Sequence, residues 1–220
     1  MSLNNVAVEA IWKLAGLSPF LSKLVAGIGF VRSGTYLSKI GWYRSFQKRI
    51  PIDAAGEPIP WYSYPAISFL EERVQSNWHV LEYGCGNSTR WWSSRASRVD
   101  SCEHHRGWYE SISNKLPANA ECHFREDDAY ISFSNEFPSK IDVLVIDGIK
   151  RVECAERCIC ALKEDGIIIW DDSNRSEFKG GFEYLIEQGF KRLDFAGLGP
   201  ITMVPVATAV FYRPQNCLGL

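Results

Sequence analysis

From residue 78 onward the chain alternates two hydrophobic periods. Short apolar runs near 79–83, 98–103, 120–124, 141–148 and 167–170 read as strands, and between them apolar positions recur at helical spacing. The clearest run is Ile141-Asp142-Val143-Leu144-Val145-Ile146, followed by Asp147-Gly148. Its near-continuous β-branched character suits a parallel strand covered on both faces. Helices are expected over 88–97, around Trp91, Trp92 and Ala96, and after the fourth strand, with Val152, Ala155, Ile159 and Leu162 on one face. Another is expected over Ser176–Gln188, with Phe178, Phe182, Leu185 and Ile186 inward. Two final strands, near 190–195 and 207–212, flank Gly197-Leu198-Gly199-Pro200 and are close enough in sequence to pair antiparallel. Alternating strands and helices mark a doubly wound parallel sheet.

Upstream the pattern is weaker. Ala15–Val31 is apolar but is interrupted by Pro19 and Lys23, and it is too short to span a bilayer. A helical extension docked on the main domain is favoured. A weak membrane-surface contact through residues 1–50, with Lys13, Lys23, Arg32 and Lys39 towards headgroups, is the other reading. Residues 51–65 carry Pro58, Pro60 and Pro65 among Trp61, Tyr62 and Tyr64, which predicts an extended ordered loop. Its aromatics either cap the core or line an acceptor pocket. Ala66–Gln75 follows as a helix with Ile67, Leu70 and Val74 aligned. The chain thus divides into an extension and loop over 1–65 and a main domain over 66–220.

At 220 residues the chain holds one well-filled domain plus an extension. A net charge of −2 argues against a nucleic-acid partner. Seven cysteines show no framework spacing, and Cys154, Cys158 and Cys160 have neither a C-x-x-C pair nor a nearby histidine. Buried free thiols in a reducing cytoplasm are the expected reading. No basic start precedes an apolar run and cleavage site, so a cytoplasmic location is expected.

The chemistry centres on Glu82-Tyr83-Gly84-Cys85-Gly86-Asn87-Ser88-Thr89, a strand end, a glycine turn and a helix start. Glycines let a ligand approach the backbone, and the new helix points free N–H groups into the same space. No Gly-Lys-Ser/Thr run exists, which rejects a phosphate loop. A dinucleotide fingerprint is matched in part, with Thr89 where a third glycine belongs. Glu82 is placed to hold a ligand ammonium and to repel a pyrophosphate. Glu103 ends the second strand about twenty residues after the turn, where a carboxylate can accept both ribose hydroxyls. His104, His105 and Trp108 follow as candidates to edge or stack on a base.

Glu82-x-Gly84-x-Gly86, with Glu103 and Asp147, resembles the class I S-adenosylmethionine (SAM)-dependent methyltransferases over about residues 78–213. Ser88 departs from that family's usual third glycine. The resemblance implies a mostly parallel seven-stranded sheet with an antiparallel last strand, and SAM as methyl donor. It implies that Glu82, Tyr83, Gly84, Gly86, Asn87, Ser88, Thr89, Glu103, His104, Asp128 and Asp147 surround the cofactor, with Asp128 at the adenine amino group. Asp147 and Asp171 become the catalytic candidates, Asp147 as proton acceptor. Asp147, Asp171 and Asp172 also resemble the acidic set of metal-dependent catechol-type O-methyltransferases, whose third ligand is usually Asn. Mg²⁺ would suit three hard oxygen donors, but it is not favoured, because such acids also cap helices or bond Lys150, Arg151 or Arg175. The acceptor expected is a small molecule or saccharide hydroxyl, selected by 51–65, 173–180 and 197–206. Two alternatives stay open: an NAD(P)- or other nucleotide-binding Rossmann-type enzyme, and a non-catalytic domain keeping this fold.

Overall fold

The structure, a computed structural model, describes residues 9–11, 13, 15–31 and 34–220. The Arg32 part of the extension reading lies outside them. Seven strands form one sheet: β1 (His79–Tyr83), β2 (Arg98–Glu103), β3 (Ala120–Phe124), β4 (Ile141–Ile146), β5 (Leu162–Trp170), β6 (Lys191–Gly197) and β7 (Val206–Tyr212). Their order is β3-β2-β1-β4-β5-β7-β6. The first five are parallel, and β7 runs antiparallel to both β5 and β6. The sheet is therefore mostly parallel with an antiparallel end, as the final two runs predict.

Alternation along β4 explains why its sequence is apolar throughout. Leu144 and Ile146 face a core with Tyr83, Tyr130, Trp170 and Phe182. Val143 and Val145 face the opposite core, with Tyr62, Leu70, Trp91 and Trp92. Successive side chains point to opposite faces, so a strand between two helical layers must be apolar at both. Each such side chain contributes about 1.5–3 kcal/mol on burial.

Several boundaries differ from those the pattern predicts. The helix after the glycine turn spans Asn87–Ser93, shorter than 88–97. The helix expected to carry Ile159 and Leu162 stops at Cys158, and Leu162 instead opens β5, opposite Ile141. Gly166 allows this early start, because a Cβ there would lie 2.9 Å from the Ile141 carbonyl oxygen. Ser176–Phe178 forms a separate 3₁₀ turn before the helix Lys179–Glu187. The helix predicted over Ala66–Gln75 spans Tyr64–Glu71, with Ser63 as N-cap and Pro65 in its first turn. Cys154 and Cys158 are buried free thiols, whereas Cys160 is free but exposed, because it falls beyond the helix.

Candidate functional site

The sheet delivers its site at the carboxyl ends of β1, β2 and β4, on either side of the point where strand order reverses. After β1, Gly84 adopts φ +102°, and a Cβ there would come within 3.3 Å of the Asp147 carbonyl oxygen. Gly86 precedes the helix Asn87–Ser93, and a Cβ built on it meets open space. Thr89 braces the turn. Its hydroxyl accepts from the Gly86 N–H at 2.9 Å and donates to Glu82 Oε2. Glu82 is fully buried, and its second oxygen, Oε1, has no hydrogen-bond partner. Burial pushes its carboxyl well above the ordinary range, against the opposing Thr89 hydroxyl.

A cavity of about 800 Å³ opens over this turn, lined by Gly84, Cys85, Gly86, Asn87 and Ser88 on one side and Glu103, His104 and Trp108 on another. Glu103 is fixed from below. Its Oε1 accepts from the backbone N–H groups of His104 and His105 at 2.9 and 2.7 Å. The Trp108 indole N–H donates to the Cys85 carbonyl at 2.6 Å, which holds the ring across the glycine turn. His105 does not reach the cavity; its Nδ1 caps the helix Arg106–Ile112 by accepting from the Trp108 N–H.

Asp147, at the end of β4, also lines the cavity. Burial raises its pKa to about 6, with the Asp172 charge adding and Arg151 opposing. Arg151 is the centre of this corner. It donates to the Gly148 carbonyl at 2.9 Å, to the Asp171 carbonyl and to Asp147 Oδ1 at 3.0 Å, and it lies 3.6 Å from Asp172 Oδ2. Asp171 is buried away from the cavity and accepts from the Thr208 hydroxyl at 2.8 Å. Burial, with the nearby Asp147 and Asp172 charges, pushes its carboxyl well up. As arranged, these acids do not fit Mg²⁺, because Arg151 already bonds Asp147 and lies against Asp172, and the Asp171 carboxylate is engaged by Thr208. Among the described residues, the ligand-type trio whose atoms lie within 4.8 Å of one another is Asp100, Glu121 and His123. There Arg98 donates twice to Asp100, at 2.6 and 2.8 Å, satisfying its charge.

Of the expected cofactor contacts, Glu82, Tyr83, Thr89 and Asp128 are not on the cavity lining; Glu82 and Thr89 lie beneath the glycine turn. Asp128 is 74% exposed at its side chain, pairs with Arg157 at 2.9 Å and does not line the cavity. Tyr83 sends its ring into the core, where its hydroxyl donates to the Ile131 carbonyl. Asn87 lines the cavity but spends its amide on the Pro51 carbonyl at 2.8 Å. That bond ties the N-terminal segment to the glycine turn and makes Arg49, Ile50 and Pro51 a cavity wall. The aromatic loop divides: Tyr62 and Tyr64 are buried in the core, while Trp61 lines the cavity. Residues 173–180 and 197–206, expected to select an acceptor, do not line it. The sequence reading missed Arg49, Arg90, Lys115 and Ile149, all on the lining. Of these, Arg90 was within its reach, one turn into the helix that follows the glycines.

The sequence matches no protein-family model and no curated protein. Its structure is similar to an rRNA methylase from Streptococcus thermophilus, at 16% identity and TM-score 0.54, covering 68% of this chain and 96% of that one. It is similar to a precorrin 8w decarboxylase from Methanobacterium thermoautotrophicum, at 21% identity and TM-score 0.53, covering 76% and 97%. It is also similar to a methyltransferase from Geobacter sulfurreducens, at 17% identity and TM-score 0.53, covering 87% and 96%. Strand order, the glycine turn at the reversal point and these likenesses agree: the chain has the fold of the class I SAM-dependent methyltransferases.

Proposed function

We propose that this chain is a SAM-dependent methyltransferase acting on a hydroxyl of a small, negatively charged molecule such as a saccharide derivative. The observation that carries the reading is Glu82 Oε1, a buried oxygen without a partner beneath the Gly84–Gly86 turn. A buried carboxylate oxygen left unpaired is costly, and an ammonium donor satisfies it. Glu103, fixed through its Oε1 on the cavity above that turn, suits a ribose diol. His104 and Trp108 supply flat faces for a base. This donor set fits SAM, which supplies an electrophilic methyl group on a sulfonium.

The chain's own work is then alignment and proton handling. Asp147 receives the acceptor hydroxyl proton as that oxygen is alkylated, and Arg151 holds the carboxylate in place. Arg49, Arg90 and Lys115 line the same cavity with no acidic partner among the described residues, which favours an anionic acceptor. Isothermal titration with SAM and S-adenosylhomocysteine, with NAD as control, tests the cofactor. Micromolar binding of the first two and none of NAD is expected. Saturable NAD binding with none of SAM overturns the proposal.

A further inference from the structure

The N-terminal segment differs in charge from everything after it. Between Ala10 and Ile52 the sequence holds Lys13, Lys23, Arg32, Lys39, Arg44, Lys48 and Arg49, and no Asp or Glu. The chain's net charge is −2, so these seven unopposed cations leave −9 on the remainder. Such asymmetry marks a segment that meets an anionic partner.

Within it, Pro19–Val31 is a helix with no acid in its first turn. Leu17, just before the helix, and Phe20, Leu24 and Ile28 on it are 72, 73, 49 and 57% exposed. On the helix, steps of four residues place Phe20, Leu24 and Ile28 in one arc of roughly 80°. Leu21 and Val25, on the adjoining side, are only partly buried. A face turned to water alone is ordinarily polar, and a contiguous apolar stripe marks a contact surface. Lys23 sits roughly 100° from the stripe's centre, where a long apolar stem carries an ammonium back to a polar layer.

We propose that residues 10–52 dock this protein on the surface of an anionic lipid bilayer. Leu17, Phe20, Leu24 and Ile28 enter the boundary between headgroups and acyl chains, and Lys13, Lys23, Lys39 and Lys48 meet the lipid phosphates. Among the described residues no helix is long and apolar enough to cross a membrane, so the contact is interfacial. The alternatives match one feature each. RNA would take the cations and leave the apolar stripe in water. A second copy would cover the stripe and bring seven like charges against seven. The segment ends in Arg49, Ile50 and Pro51, which wall the cavity, and Ile50, Trp61, Trp108 and Ile149 add exposed apolar groups on its lining. Docking therefore sets the cavity beside the bilayer surface. None of this depends on the cofactor.

Flotation of the full chain with vesicles tests the proposal. Phosphatidylcholine vesicles containing phosphatidylglycerol should carry the protein at least about tenfold better than phosphatidylcholine alone, and high salt should reverse most of that gain. Phe20→Glu and Leu24→Glu, each with an unchanged circular dichroism spectrum, should cut binding about tenfold or more. Lys13→Gln with Lys23→Gln should weaken it several-fold while leaving the stripe intact, which covers the case where a stripe variant fails to fold. Absence of flotation with anionic vesicles overturns the proposal, as does wild-type flotation by the folded stripe variants. Dimerisation that depends on the stripe, or RNA binding that both glutamate variants retain, overturns it when flotation is absent.

Discussion

Replacing Glu82 by Gln isolates what its unpartnered oxygen is for. The substitution keeps shape and preserves the acceptor for the Thr89 hydroxyl, while removing the charge beneath the glycine turn. Its effect on the free protein follows from the raised carboxyl. A buried acid whose folded pKa lies above its unfolded value costs stability once pH exceeds the unfolded pKa, and the cost grows until the folded pKa is passed. Gln carries no such cost, so the free variant should melt at or above the wild-type temperature at neutral pH. Binding should move the other way. A hydrogen bond to a charged group contributes about 1.5–3 kcal/mol, and loss of about 2 kcal/mol is roughly a 30-fold rise in Kd. The Gln amide also turns a donor face towards an ammonium that needs an acceptor. Titration calorimetry with SAM and S-adenosylhomocysteine measures the loss, and thermal unfolding without ligand measures stability. Weakened binding with undiminished stability is the expected pair. Affinity within about threefold of wild type would show that Glu82 serves the turn alone, and would refute the ammonium assignment.

Asp147→Asn should lower turnover about 10²–10⁴-fold with little change in SAM affinity. In the wild type, turnover should rise with pH through about 6, because the carboxyl must lose its proton before it can accept one; a flat pH–rate profile across that range would remove Asp147 from proton transfer. Gly148→Ala places a Cβ 1.8 Å from the Tyr130 hydroxyl oxygen and should cost about 1–3 kcal/mol in thermal unfolding. Adding Tyr130→Phe should recover most of that loss, since the next contact is 3.1 Å away. Chelator treatment should leave turnover unchanged, because Arg151 occupies the space between Asp147 and Asp172 that a divalent ion would need; activity lost with chelator and restored by Mg²⁺ would contradict that assignment.

What the sequence made legible, and what it hid, follows from the range of the forces involved. β4 was readable because both its faces are buried, so its positions are apolar apart from Asp142, which pairs with Lys163 at 2.7 Å. Gly84, Gly86 and Glu103 reach the cavity through local backbone geometry and a strand end, which a sequence pattern can follow. Asp128 was misplaced because its partner, Arg157, is distant in sequence, and no local pattern announces that pair. Arg151 was visible as a cation near three acids. Its position between them depends on β4 and β5 lying side by side, with Ile146 opposite Trp170, which sets Asp147 and Asp171 next to each other at the strand ends. The cavity wall at Arg49–Pro51 was hidden for the same reason, since one amide, on Asn87, links it to the turn across thirty-six residues. Local rules therefore locate the floor of this site, and long-range pairs decide its walls. The walls so formed carry Arg49, Lys115 and Trp61.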